Sequence, residues 1–267
     1  MEQITSAHNT KLKLVASLKQ KKYRDQSGLF VVEGIRLCEE ALASNWEVEF
    51  ALCSEAADNQ RLAKLLAQIV KAGHQLCCAN ESLYAKAADT QASQGILMVL
   101  KQSSTKLSQI NDSKVLPFIV IIDGVQDPGN VGTILRTANA AGCSGAILMH
   151  GSADVFAPKT VRATMGALFQ LPVVTGVTIS ALNQFLTDHE LPVLGTALDK
   201  TAKSCFAIDY SRPLAVAFGN EGNGLSADVL AHCTERIFIP MKNNAESLNV
   251  ATAAAVVIYE GFRQRLL

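Results

Sequence analysis

The C-terminal part of the chain carries short, almost wholly apolar segments that alternate with longer segments of helical pattern. Five of these apolar segments predict strands: Phe118 to Ile122, Ala146 to Met149, Val193 to Thr196, Leu214 to Phe218 and Arg236 to Ile239. A strand with one solvated face alternates apolar and polar residues, whereas a strand covered on both faces is apolar throughout. The pattern therefore predicts a parallel α/β sheet that has helices on both faces.

The N-terminal part also alternates between helical and extended patterns. The predicted helices run from about Asn9 to Arg24, from Ile35 to Ala43 and from Arg61 to Lys71. The predicted strands are Leu29 to Val32, Val48 to Cys53, Gln75 to Cys78 and Gly95 to Leu100. The segment from Lys101 to Lys114 is polar, rich in serine and without periodicity, as is typical of a linker. We therefore expect two α/β domains, a smaller one over residues 1–105 and a larger one over residues 106–267.

Composition excludes several classes of protein. The chain has 267 residues, of which 49% are hydrophobic, and this is too apolar for a disordered protein. No apolar run reaches the ~18 residues of a membrane span, and the N-terminus lacks the apolar core of a secretion signal. The seven cysteines are scattered and contain no CxxC pair, which argues against a disulfide framework and against a zinc site. We expect a reduced, cytoplasmic protein without a metal ion or a membrane span.

Three loops rich in glycine or asparagine follow predicted strands, where open α/β sheets bind their ligands. The first loop, DPGNVGT at residues 127–133, leads into a helix that carries Arg136. The second, FGNEGNGLS at residues 218–226, places three glycines around Glu221. The third, IPMKNNAESLNV at residues 239–250, enters the last helix. Each loop by itself also fits a plain strand-to-helix connection, and Ser247 by itself fits a helix N-cap.

The second loop has the glycine spacing of a phosphate-binding loop, Gly-x-x-x-x-Gly-Lys-Ser/Thr, at Gly219 and Gly224. Leu225 stands where the lysine would reach the phosphates, so an ATPase or GTPase is disfavoured. The chain has no GxGxxG fingerprint, and its five histidines are dispersed. No nucleophile paired with a histidine is therefore readable from the sequence.

Taken together, the three loops resemble the SpoU (TrmH) family of RNA ribose methyltransferases, in the SPOUT class. The matching segments are 127–142, 214–226 and 239–260, with further similarity at 159–173. Residues 21–42 look like the family's substrate-binding domain. The resemblance implies a C-terminal α/β trefoil-knot domain, an exception to the general absence of knots. It also implies a smaller N-terminal L30e-like α/β domain, a homodimer and S-adenosylmethionine as the cofactor.

The resemblance also assigns residues to the site, by motif position. The residues implied to contact the cofactor are Thr196, Gly219, Ile239 and Leu248. The implied catalytic residues are Asn130, Arg136, Glu221, Ser247 and Asn249. A guanidinium holds its proton tightly and is a poor base. We therefore expect Arg136 to orient a phosphate and to stabilise the developing alkoxide, while the other four hold the network.

The distribution of charge along the chain agrees with an RNA substrate, although the net charge is zero. The totals are 24 basic and 24 acidic side chains, a balance that argues at first sight against a nucleic-acid partner. Residues 1–24, however, hold six basic side chains and one acidic one. Of these cations, Lys21, Lys22 and Arg24 are the predicted RNA contacts; a solvated helix face is the alternative.

The resemblance favours large-subunit (23S) ribosomal RNA over tRNA, with guanosine as the favoured nucleotide, because the separate N-terminal domain is typical of the rRNA-directed members. Three alternatives remain open at this point: a tRNA ribose 2′-O-methyltransferase, a non-catalytic RNA-binding or ribosome-assembly protein, and an enzyme that acts on small nucleotides.

Overall fold

The chain divides into two compact units. The computed structural model describes residues 1–56, 59–90, 93–103, 105–110, 116–197, 199, 202–243 and 247–266. One unit, here the N-terminal unit, consists of Met1–Ser103 together with Phe156–Phe169. The other, the C-terminal unit, consists of Ser104–Val155 and Gln170–Leu267. Each unit contains its own β-sheet.

The helices and strands are numbered here along the chain. The strands are β1 Glu2–Ile4, β2 Leu29–Glu33, β3 Val48–Ser54, β4 Leu76–Ala79, β5 Ile96–Lys101, β6 Phe118–Asp123, β7 Gly145–Met149, β8 Val173–Val177, β9 Val193–Thr196, β10 Lys203–Ser204, β11 Leu214–Gly219 and β12 Glu235–Phe238. The helices are α1 Thr10–Ser17, α2 Lys21–Ser27, α3 Ile35–Ala43, α4 Gln60–Lys71, α5 Glu81–Ala87, α6 Pro128–Ala140, α7 Pro158–Thr164, α8 Ile179–Asp188, α9 Ala227–Ala231 and α10 Val250–Arg265.

The N-terminal unit is built on a mixed five-stranded sheet in the order β1-β4-β3-β5-β2. β4 pairs parallel with β1 and β3, and β5 pairs antiparallel with β3 and β2. Helix α4 shows why these segments are helical: Leu62, Leu65 and Ile69 recur at helical spacing and are buried, while Asn59 caps its first turn. The helices and strands predicted over residues 29–101 are confirmed.

A segment distant in the sequence completes this unit. Phe156 packs against Phe30 with 5.0 Å between ring centroids, and Phe169 packs edge-on against Trp46 at 5.4 Å. Helix α7, which lies between these two rings in sequence, contacts the edge strand β2. The predicted boundary assigned every residue after 105 to the C-terminal domain. The structure differs because the aromatic rings of Phe156 and Phe169 pack against Phe30 and Trp46.

The C-terminal unit is built on a seven-stranded, wholly parallel sheet in the order β10-β12-β9-β11-β6-β7-β8. The two central strands, β6 and β11, are buried at every position, as their unbroken apolar sequences predict. Helix α10 packs on α6. At Gly261 of α10, an added Cβ would overlap the ring of Phe118, so only glycine permits this close approach.

The basic N-terminal segment forms two helices, α1 and α2, rather than the single predicted one. Arg24 explains the break between them. Its Nη1 donates to the carbonyl oxygens of Leu18 at 2.7 Å and Lys19 at 2.9 Å, just beyond α1. Its side chain is buried, with 3% of the residue exposed. The prediction that Arg24 contacts RNA is therefore wrong, because its guanidinium holds the helix break and does not reach solvent.

The predicted linker is partly ordered in the C-terminal unit. Residues Leu107–Gln109 form a 3-10 turn, and Ile110 is buried in the core of that unit. Lys101, the first residue of the predicted linker, belongs to strand β5, and residues 104 and 111–114 lie outside the described residues. Among the helices that the structure describes, none is both long enough and apolar enough to cross a membrane.

Candidate active site

The first two loops meet because their strands are neighbours. In the parallel pair of β11 and β6, Gly219 lies opposite Asp123, so both loops leave the same edge of the sheet. Asp123 also binds the second loop directly, because its Oδ2 accepts a hydrogen bond of 2.7 Å from the backbone N–H of Ser226. The edge at the carboxyl ends of β6 and β11 is therefore the place where ligand-binding groups converge.

The second loop closes tightly on itself. The backbones of Asn220 and Gly224 exchange two hydrogen bonds of 2.9 Å. A Cβ on Gly219 would overlap backbone atoms of Gly224 and Leu225, which cannot rotate away as the end of a side chain can. Position 219 therefore requires glycine, because the backbone of residues 224 and 225 lies so close to it.

The first loop enters α6 with the N-cap that its sequence predicts. The Asp127 side chain accepts a hydrogen bond of 2.9 Å from the backbone N–H of Asn130, and Pro128 occupies the first turn. Asn130 Nδ2 then donates to Glu221 Oε1 at 2.9 Å. Arg136, two turns further along α6, is exposed and forms no hydrogen bond or ion pair with another residue that the structure describes.

The third loop joins this network at the start of α10. Asn249 is the N-cap, and its Oδ1 accepts from the backbone N–H groups of Ala251 at 2.9 Å and Thr252 at 3.3 Å. Its Nδ2 donates to Asn130 Oδ1 at 3.1 Å. The N-cap role that Ser247 could have filled belongs to Asn249, so capping does not account for Ser247.

Glu221 is held as a carboxylate in this network. Partial burial acts to raise the pKa of the Glu221 carboxyl. Hydrogen bonds from Asn130 Nδ2 and from the backbone N–H groups of Gln126 and Asp127 outweigh the burial, so the pKa lies below its usual value. A carboxylate that accepts this many hydrogen bonds is a weak base.

A cleft of about 700 Å³ opens beside the three loops. Its lining includes seven of the residues that the sequence assigned to the site: Thr196, Gly219, Glu221, Ile239, Ser247, Leu248 and Asn249. Asn130 reaches these residues through its hydrogen bonds and Arg136 lies outside the lining, so neither is a wall of the cleft.

Several wall residues were missed by the sequence reasoning. Leu225, Leu230, Ile237 and Val257 form an apolar part of the lining. Their sequence pattern is that of ordinary core residues, and nothing in it distinguishes a cleft wall from a core. Asn220, beside Gly219 in the same loop, was also missed.

Comparison with known proteins identifies the family of the chain. Residues 117–259 match the model of the SpoU rRNA Methylase family, and residues 9–98 match an MRM3-like substrate binding domain. The chain belongs to the SpoU rRNA methylase family. The predicted α/β fold is confirmed by its SpoU relatives of known structure; the trefoil knot stays a prediction.

Three SpoU relatives match the chain over nearly its whole length. The 23S rRNA (guanosine(2553)-2′-O)-methyltransferase RlmP of Bacillus subtilis (strain 168) is 36% identical, over 97% of this chain and 98% of its own. The 23S rRNA (uridine(2479)-2′-O)-methyltransferase of Streptomyces viridochromogenes is 30% identical, over 94% of this chain and 88% of its own. A crystal structure of an AdoMet-bound rRNA methyltransferase from Sinorhizobium meliloti superimposes with a TM-score of 0.87 at 30% identity, covering 98% of this chain and 97% of that one.

Proposed function

We propose that this SpoU protein transfers a methyl group from S-adenosylmethionine to a ribose 2′-hydroxyl of large-subunit ribosomal RNA. The observation that carries the proposal is the hydrogen-bonded series Asn249–Asn130–Glu221 at the rim of the cleft. The relatives support the substrate class, since two of those named are 23S rRNA 2′-O-methyltransferases and the third is an rRNA methyltransferase. One of them acts on guanosine and one on uridine; the higher identity of the guanosine enzyme favours guanosine here.

The cleft fits S-adenosylmethionine in size and in chemistry. A volume of about 700 Å³ lies within the ~300–1,000 Å³ of small-molecule sites, and its mixture of apolar walls with backbone and amide groups suits a nucleoside with a charged tail. We assign the contacts to Thr196, Gly219, Ile239 and Leu248. Bound there, the cofactor supplies an electrophilic methyl group on a sulfonium.

Positioning is the main contribution of the protein to an in-line methyl transfer. Holding the reacting atoms ~3–3.5 Å apart removes several kcal/mol from the barrier. The series Asn249–Asn130–Glu221 fixes the three loops relative to one another, and Ser247 lines the cleft. We assign these four residues to holding the ribose in place.

Arg136 is assigned to the charge that develops during the reaction. A guanidinium is a poor base, so Arg136 is not assigned to removal of the hydroxyl proton. Its exposure and its lack of a described partner leave its five donors free for an RNA phosphate and for the developing alkoxide. Glu221 is not assigned as the base either, because its pKa lies below its usual value.

We assign RNA binding outside the cleft to Lys21 and Lys22, which are exposed on α2. Lys21 forms an ion pair with Asp25 at 2.8 Å, and Lys22 Nζ lies 5.9 Å from the centroid of the Tyr23 ring. Tyr23 is itself 40% exposed. Exposed pairs of this kind are weak, so both lysines remain available to phosphates.

We further propose that the protein is a homodimer through α10, that it acts in the cytoplasm and that it needs no metal ion. The solvent side of α10 carries Tyr259, 47% exposed and stacked edge-on with Phe262 at 5.7 Å. An exposed tyrosine beside a half-buried phenylalanine on an alanine-rich helix suits close packing against a second copy. In the part of the chain that the structure describes, no group of three or more His, Cys, Asp or Glu side chains could hold a metal ion.

The test is transfer of tritium from methyl-labelled S-adenosylmethionine to RNA from cells that lack this protein, followed by mapping of the methylated ribose. We expect incorporation into 23S rRNA, and its loss in Arg136→Lys, because lysine cannot make the bidentate contact. The exposed Asn183→Ala on α8 is the control. Incorporation into tRNA alone would show that the substrate is tRNA and not 23S rRNA. No incorporation into any RNA would overturn the proposal that the protein is an RNA methyltransferase.

A further inference from the structure

Asn220 uses every polar atom of its side chain to hold the second loop. Its Oδ1 accepts hydrogen bonds from the backbone N–H groups of Gly222 at 2.9 Å and Asn223 at 3.1 Å. Its Nδ2 donates to the carbonyl oxygen of Gly124 at 2.9 Å. The oxygen faces two N–H groups and the nitrogen faces a carbonyl, so only one orientation of the amide satisfies all three contacts.

The two ends of this amide have different consequences. The contacts of Oδ1 lie within the second loop, and they set the shape of Gly222 and Asn223, which line the cleft. The contact of Nδ2 crosses to the end of β6, just before the first loop. It therefore fixes the loop that carries Glu221 relative to the loop that carries Asn130, the two partners of the hydrogen bond at 2.9 Å.

We propose that Asn220 is a positioning residue with two separable effects: its oxygen shapes the cofactor cleft, and its nitrogen aligns Glu221 with Asn130 for methyl transfer. The proposal rests on the proposed function of the site. The side chain of Asn220 forms no hydrogen bond with Asn130 among the described residues; it acts through the loop backbone and through Gly124.

The experiment compares Asn220→Asp with Asn220→Ala in the full-length protein. Aspartate keeps an oxygen acceptor for Gly222 and Asn223, but it loses the donor to Gly124; alanine loses both. We measure the Kd for S-adenosylmethionine by calorimetry, and kcat at saturating cofactor on rRNA from cells that lack the protein. A 13C NMR titration measures the pKa of the Glu221 carboxyl, whose signal is assigned by its absence in Glu221→Gln. This pKa reports the alignment of Glu221 with Asn130 and does not depend on methyl transfer. Asn183→Ala is the control, and Tm checks folding.

Asn220→Asp is expected to keep Kd within about threefold of the parent protein, while kcat falls about tenfold or more. Asn220→Ala is expected to weaken cofactor binding by about tenfold as well, a change that corresponds to ~1.4 kcal/mol. The pKa of Glu221 is expected to rise in Asn220→Ala, which places no new charge beside that carboxyl. Equal losses of affinity in the two variants, an unchanged kcat in Asn220→Asp, or an unchanged Glu221 titration in Asn220→Ala would overturn the proposal. If the parent protein binds cofactor but methylates no RNA, the proposed function fails, and Kd and the Glu221 titration still decide the role of Asn220.

Discussion

Asn249 and Asn130 are joined by a hydrogen bond of 3.1 Å whose direction is set by the start of α10. The Oδ1 of Asn249 is occupied by the first backbone N–H groups of the helix, so its Nδ2 must face Asn130. Asn130 Oδ1 then has to accept, its Nδ2 has to donate, and Glu221 has to be the acceptor at the end. A helix cap thus determines which way the amides of Asn249 and Asn130 point.

This relationship predicts that capping and catalysis can be separated at position 249. Asn249→Asp keeps a good cap but removes the donor to Asn130, so we expect a loss in kcat of about tenfold or more with a nearly unchanged Tm. Asn249→Ala loses the cap as well and is expected to cost about 1 kcal/mol of stability in addition. Thermal unfolding and single-turnover rates check both variants. Full activity in Asn249→Asp would show that the donor is not needed.

Gly219 and Gly222 provide a matched pair in the second loop. A methyl group at position 219 would overlap the backbone of Gly224 and Leu225, whereas at position 222 it meets nothing closer than Asn220 Oδ1 at 3.6 Å. We expect Gly219→Ala to lower the free energy of unfolding by about 2 kcal/mol or more, and to weaken cofactor binding. Gly222→Ala is expected to change stability by less than about 1 kcal/mol. Urea unfolding measures both, and equal stabilities would contradict the structure.

Glu260 on α10 predicts a loss of stability in acid. Hydrogen bonds from Arg263 and Gln264 lower the pKa of the Glu260 carboxyl to about 2, against the opposing effect of burial. Because its pKa is lower in the folded than in the unfolded protein, the carboxylate stabilises the fold above its usual pKa. That stabilisation is lost as the pH falls from the usual carboxyl pKa of about 4.3 towards 2.

The test is the free energy of unfolding of the parent protein and of Glu260→Gln, from pH 7 to pH 3. Glutamine keeps the size of the side chain but does not titrate. We expect the variant to be less stable at pH 7, by on the order of 1 kcal/mol, and the difference to shrink as the pH falls. A difference that stays constant over this range would exclude Glu260 as the titrating group.

The N-terminal cations are predicted to divide into RNA contacts and structural residues. Lys22→Ala is expected to reduce the dependence of RNA affinity on salt by about one unit of slope and to leave Tm unchanged. Arg24→Ala is expected to destabilise the N-terminal unit by about 2 kcal/mol, because the carbonyls of Leu18 and Lys19 lose their donor. Filter binding at several salt concentrations measures the RNA affinity of each variant, and Tm reports its stability. Lys71→Ala, at another exposed lysine, is the control.

Trp46 is the single tryptophan of the chain and reports on the packing of residues 156–169. Phe156→Ala removes a ring that contacts both Phe30 and Trp46. We expect a red shift of the tryptophan emission and a loss of about 3 kcal/mol or more. Phe206→Ala, at a side chain that is 55% exposed in the C-terminal unit, should change neither. Unchanged emission in Phe156→Ala would contradict the aromatic packing.

The sequence predicted the buried strands well, but it missed the edge strands β1, β8 and β10. β6 and β11 are buried on both faces, so their apolar runs are unbroken. The edge strand β8 includes exposed Thr175 and Gly176, and in β1 only Ile4 is buried, so neither had a clear pattern. Both strands went unpredicted for this reason.

The residues of the candidate site were predicted by resemblance, but their contacts could not be. The hydrogen bond between Asn130 and Glu221 depends on β11 lying beside β6, a neighbourhood that is fixed by the crossover connections and not by local sequence. The error at Arg24 has a similar origin. Charge and helical spacing place an arginine on a helix, but the break after α1 that buries it is a tertiary feature.

The aromatic packing of residues 156–169 has a consequence for the synthesis of the protein. Strands β6 and β7 of the C-terminal sheet precede this segment in the chain, so the ribosome makes them before the N-terminal unit has all of its core. Until Phe156 and Phe169 emerge, Phe30 and Trp46 lack their partners. The N-terminal unit therefore cannot finish folding first, as most N-terminal domains do, and the nascent chain presents an open apolar surface that suits chaperone binding.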